Sequence, residues 1–151
     1  MDEARALVLA GEFRVLIGQL KRRLREQTNL GDITWSQVSV LSLLERDGPA
    51  TVTTLARAEG MRPQSMGAIV ASLEAAGLVN GSPDPTDGRQ TLLSLTATGR
   101  EWIKAGRAAR EHWLSRAIQT KLAPAEQEKL AAAVELLKRL VEGDHHGSNH
   151  H

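Results

Sequence analysis

Apolar residues recur at three- and four-residue spacing near the start of the chain. Leu9, Phe13, Leu16, Ile17, Leu20 and Leu24 share one face of a helix predicted over residues 5–28. Lys21, Arg22, Arg23 and Arg25 crowd its second half, and Asn29-Leu-Gly31-Asp32 breaks it. Thr34 is a predicted N-cap for a helix from Trp35 to Arg46, with Val38, Leu41 and Leu44 as its apolar stripe. Asp47-Gly48-Pro49 ends that helix.

Thr51-Val52 reads as a very short strand, and Thr53 as the N-cap of a third helix over Thr54–Glu59. Gly60 closes this helix in a left-handed cap. Pro63 suits the first turn of the next helix, because the N–H it lacks would have no partner there. That helix runs to Ala76 and stops at Gly77. Ala56, Gly60 and Met61 then form a helix-turn-helix pattern: the small residue permits close approach, the glycine turns, and the methionine fills the gap.

Leu78-Val79 starts a strand, the segment Asn80–Arg89 is a loop, and Thr91–Thr96 returns. Pro85, Asp84 and Asp87 favour a sharp turn within that loop, and Gly88 permits it. A helix pair followed by a hairpin with an arginine near its tip is the plan of a winged helix. Gly99 precedes a long helix running to Leu122, with Trp102, Ile103, Trp113, Leu114, Ala117 and Ile118 as apolar positions. Pro124 starts a last helix to Val141, with Leu130, Val134, Leu137 and Val141 on one face. The fold class expected is mainly α with a small β-hairpin wing. A winged helix-turn-helix region over 32–97 is flanked by long terminal helices over 5–30 and 98–142. Residues 143–151 carry no apolar side chain and are expected to form a disordered tail.

Composition narrows the chemistry. A chain of 151 residues, 41% hydrophobic, can build one domain with a real core. It has no cysteine, which removes disulfides, thiolate metal sites and thiol redox switches. Asp2 and Glu3 follow the first residue with no uncharged apolar run behind them, so no secretory signal is expected. No stretch is apolar enough to span a membrane, and a cytoplasmic location is expected. One Phe, three Trp and no Tyr make base stacking on single strands a poor match.

Enzymatic constellations are missing: there is no Ser-His-Asp set, no phosphate-binding glycine loop and no spaced carboxylate pair. No catalytic residue and no cofactor are expected. His112 is the one histidine outside the tail. His145, His146, His150 and His151 lie in a tract without fixed geometry, so no metal site is expected there.

The net charge is +1, but residues 31–100 hold five basic and seven acidic side chains, a net of −2. Binding to double-stranded DNA must therefore come from where a few arginines sit, and from duplication of the surface in a dimer. With Met66, Ile69, Val70 and Leu73 as the buried stripe of the helix after Pro63, the opposite face carries Gln64, Ala68, Ala71 and Ala75, flanked by Gly67 and Ser72. Small side chains let a helix backbone press deep into the major groove. Gln64 can pair with adenine, and Ala68 or Ala71 can touch thymine methyls. Ser65 can bind phosphate or a base edge, and Arg57 and Arg62 are the charged candidates. Arg89 at the wing tip suits a narrow minor groove.

The order of elements resembles the MarR family of bacterial transcription regulators over residues 5–142. Its most specific parts are Leu73-Glu-Ala-Ala-Gly77-Leu-Val79, Asp84-Pro-Thr-Asp87-Gly-Arg89, Leu93-Ser-Leu-Thr96 and Thr34-Trp-Ser-Gln37. The resemblance implies a homodimer whose terminal helices interleave, with two winged helices on a pseudo-palindromic operator. It assigns Arg89 to the minor groove and Asp87 to bracing it. It also implies a small phenolic or anionic effector in a cleft between the dimerisation and DNA-binding regions, where Phe13, Arg14, Trp35, His112 and Trp113 are the candidates; ordinary packing is the competing reading for these five. Repression released by the effector is the family's usual mode.

The chain departs from the family at Asn80-Gly81-Ser82 and Gly88, where basic residues are common. A shallow salt dependence of DNA binding is the consequence. The acidic balance of residues 31–100 keeps a second reading open, a winged helix used for protein contacts with its DNA face silent.

Overall fold

Asp2 starts the first helix. In the computed structural model, which describes residues 1–143, its carboxylate accepts the Arg5 N–H at 2.8 Å and α1 spans Glu3–Glu26. No residue of α1 is buried. Helix α2, Trp35–Asp47, opens with a capping box. The Thr34 hydroxyl accepts from the Gln37 N–H at 3.2 Å, and the Gln37 side chain accepts from the Thr34 N–H at 2.8 Å. Its buried residues are Val40, Leu41 and Leu44; Val38, expected in that stripe, is half-buried.

Strand β1 is Ala50–Thr51 and helix α3 is Val52–Ala58. The cap is Thr51, not Thr53: its hydroxyl accepts the Thr54 N–H at 3.2 Å. The backbone of Thr51 is extended, with φ −85° and ψ 162°, so one residue both ends the strand and caps the helix. Gly60, at φ +62°, closes α3 with Met61 N–H donating to the Ala56 carbonyl at 2.8 Å. Met61 packs against the core, as the gap-filling role requires. Helix α4, Pro63–Ala75, ends in the same way, with Leu78 N–H on the Leu73 carbonyl at 3.0 Å.

Strands β2 (Val79–Pro83) and β3 (Thr91–Leu95) pair antiparallel, with Val79 opposite Leu95 and Pro83 opposite Thr91. β1 pairs on the other edge of β3, with Ala50 opposite Leu93. The sheet order is β1-β3-β2, so the hairpin sits in a three-stranded sheet. β2 takes in Asn80, Gly81 and Ser82, expected in the loop. Beyond Val79 it is exposed and shows no apolar alternation, so pairing with β3 alone defines it.

Helix α5 spans Ala97–Lys121 and α6 spans Pro124–Val141. Gly99 lies inside α5 rather than before it. A Cβ there would stand 2.1 Å from the Leu78 carbonyl oxygen, so glycine is what lets the helix start pass that backbone. Thr96 fastens the same point: its N–H donates to the Leu78 carbonyl at 3.0 Å and its hydroxyl to the Gly77 carbonyl at 2.6 Å. The Thr96 hydroxyl oxygen in turn accepts the Gly99 N–H at 3.0 Å.

The chain divides by packing into two compact units, Met1–Arg110 and the part from Glu111 on. The dimerisation and winged-helix regions expected from sequence are a grouping by role. The hydrophobic core lies in the first unit, where Leu41, Leu55, Met66, Leu73 and Leu93 are its most enclosed large side chains. In the second unit Trp113, Leu114, Ile118, Leu130 and Leu137 are half-buried. No helix among the described residues is long and apolar enough to cross a membrane. The expected tail, apart from Gly143, and its four histidines lie outside the described residues.

Candidate nucleic-acid interface

Helix α4 buries Met66, Val70 and Leu73 and half-buries Ile69, as its period predicts. This orientation turns Gln64, Ser65, Ala68, Ala71, Ser72 and Ala75 to solvent. Gly67 is half-buried, and a Cβ added there would meet nothing within 4 Å. The Ser72 hydroxyl donates to the Ala68 carbonyl at 3.2 Å, so it offers lone pairs outward rather than its proton. Between Arg62 and Glu74 the helix carries no charged side chain. Its exposed face can discriminate bases through the Gln64 amide and by shape, while charge comes from its margins.

Arg62 supplies the margin at the helix start. It is the N-cap residue of α4, is exposed, and makes no side-chain capping bond. Pro63 follows at the first helical position. Helix geometry leaves the N–H groups of Gln64 and Ser65 without intrahelical partners, which suits an anion at this end. Arg57 is exposed in the last turn of α3.

The wing tip is held by two aspartates. Asp84 accepts from both the N–H and the hydroxyl of Thr86, at 3.0 and 2.9 Å. The Thr86 backbone N–H, then its hydroxyl, hold the Asp84 carboxyl below its usual pKa of 3.8. The Asp84 N–H donates to the Gln90 carbonyl at 2.9 Å, which closes the loop. Asp87 Oδ1 accepts from the Arg89 N–H at 3.1 Å and from Arg89 Nε at 3.4 Å. The Arg89 side chain is 92% exposed and that of Asp87 36%. Thus an ordered turn presents one braced cation to solvent.

The acidic balance around this face is partly internal. Arg46 donates from Nε and Nη2 to the two Asp47 oxygens, each at 3.0 Å, and that bond holds the Asp47 carboxyl below its usual range. Glu45 pairs with Arg107. Among the described residues no group of three or more His, Asp or Glu side chains could hold a metal ion.

The effector candidates fall in different places. Phe13 is half-buried and Arg14 exposed on α1. Trp35 is half-buried at the start of α2, with the Arg25 guanidinium 5.0 Å from its ring centre. His112 is exposed and Trp113 half-buried, both in the second unit. A recess of about 250 Å³ in the first unit is lined by Gln27, Thr28, Asn29, Trp102, Ala105, Gly106 and Ala109, and none of the five candidates is among them. Sequence reasoning missed this recess because its walls are mostly small or amide side chains, which carry no periodic signal.

Comparison with known proteins agrees with this architecture. The MarR family model matches residues 33–91, from the residue before Thr34 through the first residue of β3. An uncharacterized HTH-type transcriptional regulator of Mycobacterium bovis is 37% identical over 134 residues, covering 89% of this chain and 93% of that protein. A Pseudomonas aeruginosa protein assigned as a transcriptional regulator has a crystal structure that aligns with TM-score 0.82 and 36% identity, over 95% of this chain and 100% of that one. A mutant of S. aureus MepR, solved bound to an oligodeoxyribonucleotide, shares the fold at TM-score 0.69 and 21% identity, over 87% of this chain and 97% of that one. The overall fold is thus shared with transcriptional regulators, and the chain belongs to the MarR family of transcriptional regulators.

Proposed function

We propose that the protein is a homodimeric, cytoplasmic repressor that binds a pseudo-palindromic operator in double-stranded DNA and is released by a small phenolic or anionic effector. The observation that carries the DNA reading is the pairing of an uncharged, close-approach face on α4 with Arg89 held out from the wing. α4 enters the major groove, where Gln64, Ser65, Ala68, Ala71 and Ser72 meet base edges and Gly67 leaves space. Arg57, Arg62 and the helix start at Pro63 meet phosphates, and Arg89, braced by Asp87, enters the minor groove.

Dimerisation is supported by the terminal helices. Leu7, Leu9, Leu16, Ile17 and Leu20 stand exposed on α1, and Val134, Leu136, Leu140 and Val141 on α6. Each helix thus exposes several large apolar side chains, which suits an interaction site, and a second copy of the chain would give a closed pair. Phe13, Arg14, Trp35, His112 and Trp113 remain the candidates for the effector.

A mobility-shift titration with DNA from upstream of the protein's own gene tests the reading. A discrete complex that resists unrelated competitor DNA supports it, and retardation no stronger than with competitor contradicts it. The net −2 of residues 31–100 favours a second reading, a winged helix that contacts protein. That reading predicts no discrete complex on any duplex.

A further inference from the structure

Three arginines away from the proposed DNA-facing surface join α1, α2 and α5. Arg25, near the end of α1, lies over Trp35 at the start of α2, 5.0 Å from the ring centre. Arg107 on α5 pairs with Glu45 near the end of α2. Arg110, one turn further along α5, donates from Nη1 to the Thr28 hydroxyl at 2.9 Å, two residues beyond the end of α1. The three contacts therefore link α1 to α2, α2 to α5, and α5 back to the end of α1.

Two further observations give these bonds a purpose. Helix α2 supplies Val40, Leu41 and Leu44 to the core on which α4 packs, so whatever seats α2 also seats the recognition helix. Gly106 lies in the interior of α5, where glycine is a weak helix former. A Cβ there would come within 3.3 Å of Arg110 Nη1 and 3.6 Å of the Thr28 methyl, so glycine leaves room for that bond.

We propose that Arg25, Arg107 and Arg110 are positioning residues, a clamp that seats the winged helix on α1 and α5 and so sets the pose in which it meets the operator. The clamp rests on the DNA-binding homodimer proposed above. The Arg107–Glu45 pair, with side chains 48% and 35% exposed, contributes little to stability. Its loss therefore leaves the fold intact and changes the pose, and with it the tolerated distance between half-sites.

Charge reversal separates this role from simple electrostatics. The probe is a duplex that the wild-type chain selects from a random-sequence library, rebuilt with its half-sites moved apart or together by single base pairs. Glu45→Arg adds positive charge, so electrostatics alone predicts tighter binding for it and weaker binding for Arg107→Glu. The clamp predicts that both single variants weaken binding by about 3- to 10-fold, accept a wider range of spacings and melt near the wild-type midpoint, and that the double variant regains affinity and spacing preference. Gly106→Ala, which crowds Arg110 without changing charge, shifts affinity the same way. Glu45→Arg binding as tightly as wild type or tighter, or a double variant no better than the weaker single, overturns the clamp. If the wild-type chain selects no duplex, the DNA-binding reading fails, and the clamp's role falls with it.

Discussion

One carboxylate oxygen of Asp87 accepts both the backbone N–H and the Nε of Arg89, at 3.1 and 3.4 Å. The first bond shapes the turn and the second orients the side chain that leaves it. An arginine ordered in advance loses less freedom when it binds. Asp87→Ala therefore weakens operator binding by about 0.5–1 kcal/mol. The sign is informative, because removing a negative charge near DNA would otherwise tighten binding. Anisotropy titration at fixed salt measures it, and equal or tighter binding contradicts the bracing role.

Asp84 makes the wing tip sensitive to acid. Its folded-state carboxyl sits below the ordinary 3.8 because Thr86 donates to it twice. A depressed carboxyl contributes stability that is complete above the unfolded pKa and is lost as pH falls through the folded one. The Asp84 brace is thus complete at neutral pH and is lost only below pH 3.8. Carboxyl-carbon NMR should place the Asp84 titration below that value, and a midpoint above it contradicts the turn as described.

Gly99→Ala tests the junction between wing and α5. The new methyl would meet backbone, the Leu78 carbonyl oxygen at 2.1 Å, and that carbonyl already accepts the Thr96 N–H. No side-chain rotation relieves this, so denaturant unfolding should show a loss at the upper end of the overpacking range, about 3 kcal/mol. A loss under about 1 kcal/mol would mean that α5 starts elsewhere.

The exposed face of α1 tests dimerisation. Leu16 and Leu20 lie one turn apart and are 58% and 40% exposed. Leu16→Glu with Leu20→Glu places two carboxylates in the proposed interface at little cost to the chain's own core. Sedimentation equilibrium should give a dimer for wild type and a monomer for the double variant. A wild-type monomer, or a variant that stays dimeric, argues against this face.

Local signals were legible in the sequence, and contacts distant along the chain were not. The buried stripe of α4 follows from its period alone, and with it the exposed face. Asp87 and Arg89 sit two residues apart, so their pairing needed no tertiary knowledge. The sequence places the cap at Thr53, whereas the pairing of Ala50 with Leu93 ends β1 at Thr51 and makes Thr51 the cap. Gly99 looks like a helix breaker until Leu78 is seen beside it. Strand β2 past Val79 has no pattern of its own, since β3 holds it. The bond between Thr28 and Arg110 spans 82 residues, and nothing local announces it.

Arg89 carries the central claim, because the neutral Asn80-Gly81-Ser82 and Gly88 leave the wing without other cations. The most direct measurement is an equilibrium titration of wild type and Arg89→Ala against one selected duplex at one salt concentration, alongside their thermal midpoints. The side chain is 92% exposed, so the midpoints should coincide, while Arg89→Ala binds more weakly by about 1–3 kcal/mol. Equal affinity for the two proteins would contradict the assignment of the wing to DNA.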